Sequence, residues 1–283
     1  MCFFGISMLL LLPGAGNLRN KNEGSLNLKI MTYNIRYASD QPGLHSWNNR
    51  REGILESFSG IDIAGLQEVL PVQMEYLNSN LPDWGVIFRS REKDPDKGEG
   101  VPLLYRKDKF LLLGSGIFWL SDTPETPGSN TWDAACNRIA TWGLFTDKSN
   151  NQEFFVCNTH LDHVSQYARE KSIQLILSHI RNLAADRPII LMGDFNIEED
   201  NVVYQMIVQN ELRDTYRDLH QERDSTDLTF HGWRDETGLT RIDYIFVSHH
   251  FGTGDSEVIR KKINGEYPSD HLPVVSVVEI IDP

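Results

Sequence analysis

Nine polar residues stand at the ends of short apolar runs along the 283-residue chain: Asn34, Glu68, His160, Asp162, Asp194, Asn196, Asp243, Asp270 and His271. The stretch IILMGDFNIEED (189–200) shows the pattern most plainly, because four apolar residues suited to the middle of a sheet give way to Gly-Asp-Phe-Asn. A buried carboxylate is costly unless it is paired or holds a metal, so Asp194 and Asn196 need a reason to be there. Taken together the set has a chemical logic. Glu and Asp oxygens with an Asn carbonyl suit a hard cation such as Mg2+, which keeps several waters and reaches substrate phosphate through few protein ligands. Two histidines beside carboxylates supply a base, an acid and their orienting partners. Each signal alone also has a plain reading: GDFN as an Asx turn, QE as a polar strand boundary, SDH as a turn.

These residues can meet only if the elements carrying them end on one edge. LNLKIMTYNIR alternates from Leu26 to Ile35 and predicts a strand ending at Asn34. WNNRREGILESF (47–58) has helical spacing at Ile54, Leu55 and Phe58, and DIAGLQEV (62–69) is a second strand ending at Glu68. VPLLYRKDKFLLLGSGIFWLS, NRIATWGLF and EFFVCNTHL read as further strands. From Ser165 to Ala185 the apolar residues Ile173, Ile176 or Leu177, Ile180 and Leu183 recur every three or four positions, which predicts a helix with Ser165 as its N-cap. Strands follow into Asp194, over RIDYIFV (241–247), and over LPVVSVVEI (272–280) directly behind SDH (269–271). Strands and helices are interspersed, and several strands are apolar throughout. The class is α/β, with two packed sheets or one large sheet.

With 40% hydrophobic residues and no linker, repeat or low-complexity tract, the chain reads as a leader over 1–22 and one domain over 23–283. The leader, MCFFGISMLLLLPGAG, is apolar for twelve residues, a length that suits the core of a signal peptide and is short for a membrane span. No basic residue precedes it, so a buried strand or a misassigned start is the other reading. Past the leader only Cys136 and Cys157 remain, too few for a disulfide scaffold. A turn at DKSNN would set Cys157 opposite Thr141 rather than Cys136, so two free thiols are expected. The balance of 27 basic to 40 acidic residues, a net charge of −13, disfavours a passive nucleic-acid coat held by phosphate neutralisation. It leaves room for an enzyme that brings its own cations.

The ordered series TYNIR (Asn34), LQEV (Glu68), NTHLD (His160), GDFN (Asp194, Asn196), RIDYIFV (Asp243) and SDH (Asp270, His271) resembles, motif for motif, the endonuclease/exonuclease/phosphatase superfamily. That group spans DNase I-like nucleases, abasic-site endonucleases, sphingomyelinases, inositol polyphosphate phosphatases and deadenylase-like enzymes. The resemblance covers about Leu28 to Ile281. It implies a four-layer α/β/β/α sandwich of two packed mixed sheets, with the site at their rim. FWLSDTPETPGSNTWDAACNRIATW (118–142) is similar to bacterial, often exported members of the group, which implies a periplasmic or extracellular protein.

Roles follow from the resemblance. Glu68 and Asn34 would hold Mg2+ or Mn2+, and Asp270 would touch the metal or cap a turn. Asp243 would orient His271, which would deprotonate or steer the attacking water; in some readings Asp194 does that instead. Asn196 would hold the water or a phosphate oxygen, and His160 would stabilise the five-coordinate transition state and protonate the leaving oxygen. Arg138 matches an arginine placed near the phosphate in some branches. Arg36 stands where abasic-site enzymes carry an acid, and is a second phosphate candidate. Asp162 and His163 extend the HLDH stretch as supporting or solvated groups, His249 and His250 read as a loop, and Arg50 and Arg51 meet phosphate or water. Trp47, Trp119, Trp132 and Trp233 line a groove or pack as aromatic core.

The leading expectation is a Mg2+-dependent hydrolase of a phosphodiester: a nucleic acid, a nucleotide conjugate or a phospholipid headgroup. A phosphomonoesterase on inositol or sugar phosphate is the second, and a non-catalytic binding module of the same fold the third. Basic clusters such as RSREK are short and diluted by acids, which favours a small or single-stranded substrate over duplex DNA. A monomer with no obligate protein partner is expected.

Overall fold

Which side chains meet is decided by strand parity, because alternate residues face opposite sides of a sheet. The computed structural model describes residues 27–39, 43–234 and 240–281, so the expected leader lies outside the described residues. Along the chain run β1 (Asn27–Asn34), α1 (Trp47–Glu56), β2 (Ile63–Gln67), α2 (Pro71–Asn80), β3 (Trp84–Ile87), β4 (Leu103–Arg106), β5 (Phe110–Trp119), β6 (Ile139–Asp147), β7 (Glu153–His160), α3 (Gln166–Ala184), β8 (Ile189–Asp194), α4 (Val202–Val208), β9 (Leu212–Asp214), α5 (Thr215–Leu219), β10 (Asp243–Ser248), β11 (Phe251–Val258) and β12 (Val274–Ile280). They form two six-stranded sheets, ordered β11-β12-β1-β2-β4-β3 and β5-β6-β7-β8-β10-β9. Both are mixed: β1 runs parallel to β2 and β7 to β8, while the other pairings are antiparallel.

Three apolar layers hold the sheets and helices together. Leu28, Ile30 and Ile63 of the first sheet pack with Val156, Ile190, Met192 and Ile245 of the second. On the far side of the first sheet, Met31, Tyr33, Ala64 and Leu66 meet Ile54 of α1 and Met74 and Leu77 of α2. On the far side of the second, Cys157, Leu191 and Phe246 meet Ile173, Ile176 and Ile180 of α3 and Val203 and Ile207 of α4. Each such aliphatic side chain contributes roughly 1.5–3 kcal/mol by leaving water. The layers stack as α/β/β/α, the four-layer sandwich expected. Ser165 caps α3 as expected, its Oγ accepting the Ala168 N–H at 3.1 Å.

Parity also carries the site. In β1 the inward positions are Leu28, Ile30, Thr32 and Asn34; in β7 they are Phe154, Val156, Asn158 and His160; in β8 they are Ile190, Met192 and Asp194. The inter-sheet core therefore turns from apolar to polar toward one rim. Gln67 Nε2 donates to Thr32 Oγ1 at 3.0 Å and to Asn158 Oδ1 at 2.7 Å, and Asn158 Nδ2 donates to the Leu66 and Pro102 carbonyls. Those bonds make a buried amide layer affordable directly beneath the site.

Two tight turns are crossings between the sheets. β4 belongs to the first sheet and β5 to the second, so the YRKDK turn is a corner joining the layers. The same holds for β10 and β11, whose corner carries the turn residues His249 and His250. Cys136 and Cys157 are both free thiols, and Cys157 faces Trp142 across the β6–β7 ladder, one residue from the expected register.

Candidate active site

Three neighbouring strands set a row of reactive groups. His160 of β7 is opposite Asp194 of β8, and Asp194 is opposite Asp243 of β10. The glycine of GDFN makes this possible: Gly193 has φ 151°, and a Cβ there would lie 2.1 Å from the Thr159 carbonyl oxygen. The next turn places Asn196 at φ 50°, its N–H on Asp194 Oδ1 at 3.0 Å and its Nδ2 on the Leu161 carbonyl at 3.0 Å. Across the rim, Asn34 closes β1, and Arg36 (φ 54°) and Glu68 (φ 61°) follow their strands in left-handed conformations. Such conformations cost of order 1–3 kcal/mol for residues with a Cβ and gather where function requires them.

Asp194 is the hub. Its Oδ2 accepts from Asn34 Nδ2 at 2.9 Å, and lies 3.4 Å from His160 Nε2 and 3.8 Å from His271 Nε2. His271 comes from the turn before β12, and its Nδ1 is 2.9 Å from Asp243 Oδ2. Asp194, Asp243 and His271 thus form a compact group of possible ligands as well as an acid–base cluster, their nearest donor atoms all within 4.8 Å of one another. Burial, then the charge of Asp243, raises the Asp194 carboxyl to about 7. Burial works against charge on His271, but Asp243, Asp194 and Asp270 outweigh it and lift the imidazole to about 10. His160 goes the other way: burial, then Arg138 and Arg91, holds it well below the ordinary histidine value.

A second carboxylate pair stands beside this cluster. Glu68 Oε1 accepts from Asn34 Nδ2 at 3.1 Å and Glu68 Oε2 from the Tyr37 N–H at 3.2 Å. The Arg36 guanidinium lies between Glu68 and Asp270, at 3.6 and 3.7 Å. Glu68 and Asp270 already share one cation, and oxygen-only chemistry of this kind fits a hard divalent ion. The Asn34 carbonyl oxygen accepts the Arg36 N–H at 3.0 Å, and its NH2 faces the acids. In this arrangement it bridges Glu68 to Asp194.

The other candidates separate clearly. Arg138 is buried beside His160 in a small cavity that also touches Glu68, and its Nε and Nη1 have no hydrogen-bond partner. Asp162 is a loop organiser, taking the N–H groups of Ala135, Val164 and Ser165. His163 is exposed and meets Arg138 Nη2 at 3.0 Å. Arg50 is buried and donates to the carbonyls of Ile35, Arg36, Tyr37, His45 and Pro268, tying the loop after β1 to the SDH turn. Arg51 lies over Tyr76. Trp47 and Trp119 are core residues, Trp132 donates to Asp122, and Trp233 stacks on His45 at 4.2 Å.

Sequence reasoning missed three supports. Thr229 Oγ1 accepts the N–H groups of Ile242 and Asp243 at 3.1 and 3.2 Å. Arg241 is buried, paired to Asp214 through both terminal nitrogens (2.7 and 2.8 Å) and to Glu199 at 2.7 Å. Arg91 lines the cavity next to His160. The only sequence signals were the arginine opening RIDY and the basic cluster RSREK.

The model of the endonuclease/exonuclease/phosphatase family matches residues 31–271, a span that opens in β1 and closes on His271. The chain belongs to this family. Among solved structures of the endonuclease/exonuclease/phosphatase family, one from Bacteroides vulgatus is 34% identical with a TM-score of 0.84, covering 90% of this chain and 100% of that one. The mannosyl-6-phosphatase of Bacteroides thetaiotaomicron is 32% identical with a TM-score of 0.80, covering 89% of this chain and 99% of that one. Drosophila melanogaster Nocturnin is 24% identical over 238 residues, 71% of this chain and 35% of its own length. The endonuclease/exonuclease/phosphatase family acts on phosphoester bonds, and the chain is similar over nearly its full described length to members that do so.

Proposed function

We propose that this chain hydrolyses a phosphate monoester of a small polyhydroxylated molecule such as a sugar, with a divalent cation held by Glu68 and Asp270. The observation that carries the reading is the cavity beside His160 lined by both Arg138 and Arg91, where Arg138 is buried with no hydrogen bond on Nε or Nη1 and with Asp162 3.8 Å from Nε. Buried guanidinium N–H groups without hydrogen bonds are costly, and a terminal phosphate with two negative charges satisfies them better than a diester with one. The 32% identity to a mannosyl-6-phosphatase over nearly all of both chains supports the same class. A phosphodiester, the first expectation from sequence, draws support from relatives named as ribonucleases at 22–26% identity.

When bound, the cation supplies Lewis-acid polarisation of a phosphate oxygen. The chain's own residues do the rest. His271 is charged at neutral pH and holds its Nδ1 proton on Asp243, so Asp194, poised near 7, is the member of the pair able to accept the proton of the attacking water. Asn196 fixes that carboxylate through its N–H. Neutral His160 donates a hydrogen bond to the phosphoryl oxygens, not a proton to the leaving group.

Purified protein with Mg2+ should hydrolyse mannose 6-phosphate and 4-nitrophenyl phosphate faster than bis(4-nitrophenyl) phosphate, RNA or plasmid DNA. Faster cleavage of the diester would reverse the order of the two readings, and inactivity on all five would sink both.

A further inference from the structure

The segment from Phe88 to Gly100 is a strap closed at its neck against the strand end that bears Glu68. Gly100 pairs with both Ser90 and Val69: the Val69 N–H donates to the Gly100 carbonyl at 3.1 Å and the Gly100 N–H to Val69 at 2.8 Å. Only glycine fits at that neck, since a Cβ on Gly100 would lie 2.5 Å from the Arg89 carbonyl oxygen. The strap is also tied to the segment preceding Arg138, through Asn137 Nδ2 on Glu92 Oε2 at 2.8 Å, and to Trp119, whose Nε1 donates to the Arg91 carbonyl at 2.6 Å.

This clamp presents one side chain to the site. Arg91 shares the small cavity with Glu68, Arg138 and His160. Its Nη1 is anchored on Glu99 Oε2 at 2.8 Å, while its Nε is buried with no hydrogen-bond partner, the Glu92 carboxylate standing 3.7 Å away. Arg91 is near enough to His160 to join Arg138 in keeping that imidazole neutral. Glu99 is itself a half-buried carboxylate that Arg91 keeps paired.

We infer that Arg91, held in place by Glu99, is a second phosphate-binding arginine lining the same cavity as Arg138 and selects the dianionic terminal phosphate of a monoester over a diester. The inference rests on the monoester reading above and names the residues that enforce it. A monoester presents three terminal oxygens and two charges. Arg138 and Arg91 line the cavity together with Glu68 and Glu99, and three of their nitrogens have no hydrogen bond, with Asp162 3.8 Å from Arg138 Nε and Glu92 3.7 Å from Arg91 Nε. A diester carries one charge less and a substituent on a fourth oxygen, so it gains less from the second arginine. Glu99 acts through Arg91 and is a positioning residue.

Steady-state kinetics with 4-nitrophenyl phosphate and bis(4-nitrophenyl) phosphate, with Mg2+ present, test this. Arg91→Gln should lower kcat/KM for the monoester at least about tenfold and for the diester less than about threefold, the scale of one charge-assisted contact. Arg91→Lys should retain part of the preference, since it keeps the charge without the fork. Glu99→Gln leaves both arginines present and should raise KM for the monoester several-fold while leaving KM for the diester unchanged, which keeps the point testable even if Arg91→Gln fails to fold. An unchanged monoester-to-diester ratio in Arg91→Gln, or in Glu99→Gln should that variant alone fold, would overturn the inference and leave the monoester reading standing. A wild type inactive on both esters would overturn the two together.

Discussion

His271 Nδ1 lies 2.9 Å from Asp243 Oδ2, and the opposite ring nitrogen faces Asp194 Oδ2 at 3.8 Å, so one imidazole links two buried carboxylates on adjacent strands. Asp194 and His271 each owe part of their shift to the other and to Asp243.

Non-additivity follows from that linkage. Asp243→Asn and His271→Ala should each lower turnover by about 10^2–10^4-fold, and the double variant should be little worse than the worse single, because the second loss removes support for a group already gone. His160→Ala stands on the other side of Asp194 and should combine more nearly additively with His271→Ala. Near wild-type turnover in folded Asp243→Asn would show that the pair does not act as one unit.

Stability against pH has a defined sign at Asp194. Its carboxyl is raised in the fold, from 3.8 to about 7, so the folded state binds the proton more tightly; that stabilisation is full below about pH 4 and is lost as pH rises toward 7. His271, raised to about 10, is charged in both folded and unfolded chains below pH 6 and adds no slope there. In metal-free protein Asp194→Asn should therefore gain stability relative to wild type between pH 4 and 6, measured by urea denaturation. A constant difference across that window would contradict the raised carboxyl.

Metal binding is separable from turnover. Glu68→Gln and Asp270→Asn should each weaken Mg2+ binding about tenfold or more in titration calorimetry, and wild-type activity should vanish with chelator and return with Mg2+ or Mn2+. Asn34→Ala should weaken Mg2+ binding less than either, because its NH2 faces the acids. A larger loss in Asn34→Ala would place its oxygen at the cation.

Arg241 is expected to matter to the fold before it matters to the chemistry. Arg241→Ala strands the buried Asp214 carboxylate without its cation and leaves Glu199 to Arg217 and Arg223, and breaking such a buried pair costs about 3–5 kcal/mol. Chemical denaturation should show that loss, whereas His271→Ala should fall far short of it. Arg50→Ala should resemble Arg241→Ala, since five backbone carbonyls lose their donor.

What the sequence by itself determined was the set of strand-end residues and their order. That was legible because a strand alternates with period two: the parity that buries Leu28 and Ile30, Val156, or Ile190 and Met192 leads without interruption to Asn34, His160 and Asp194. α3 was legible for the same reason at period 3.6, with Ser165 as its cap. β11, FGTGDSEV, had no such signal; its two glycines and two acids form a strand only because β12 offers a partner. α2 showed only Pro71 at its start and Met74 and Leu77 three apart. Tertiary structure alone decided which way a polar group points. Arg50 looked like a helix-opening surface arginine until Pro268, 218 residues on, closed over it. Asn34 offers its NH2 because the turn to Arg36 claims its oxygen, and Arg91 reaches the site because Gly100 lets the strap close on Val69. Alternation is a local property that a chain carries in its order of residues, whereas hydrogen-bond direction and the pairing of buried charge depend on partners that only folding brings within 3 Å.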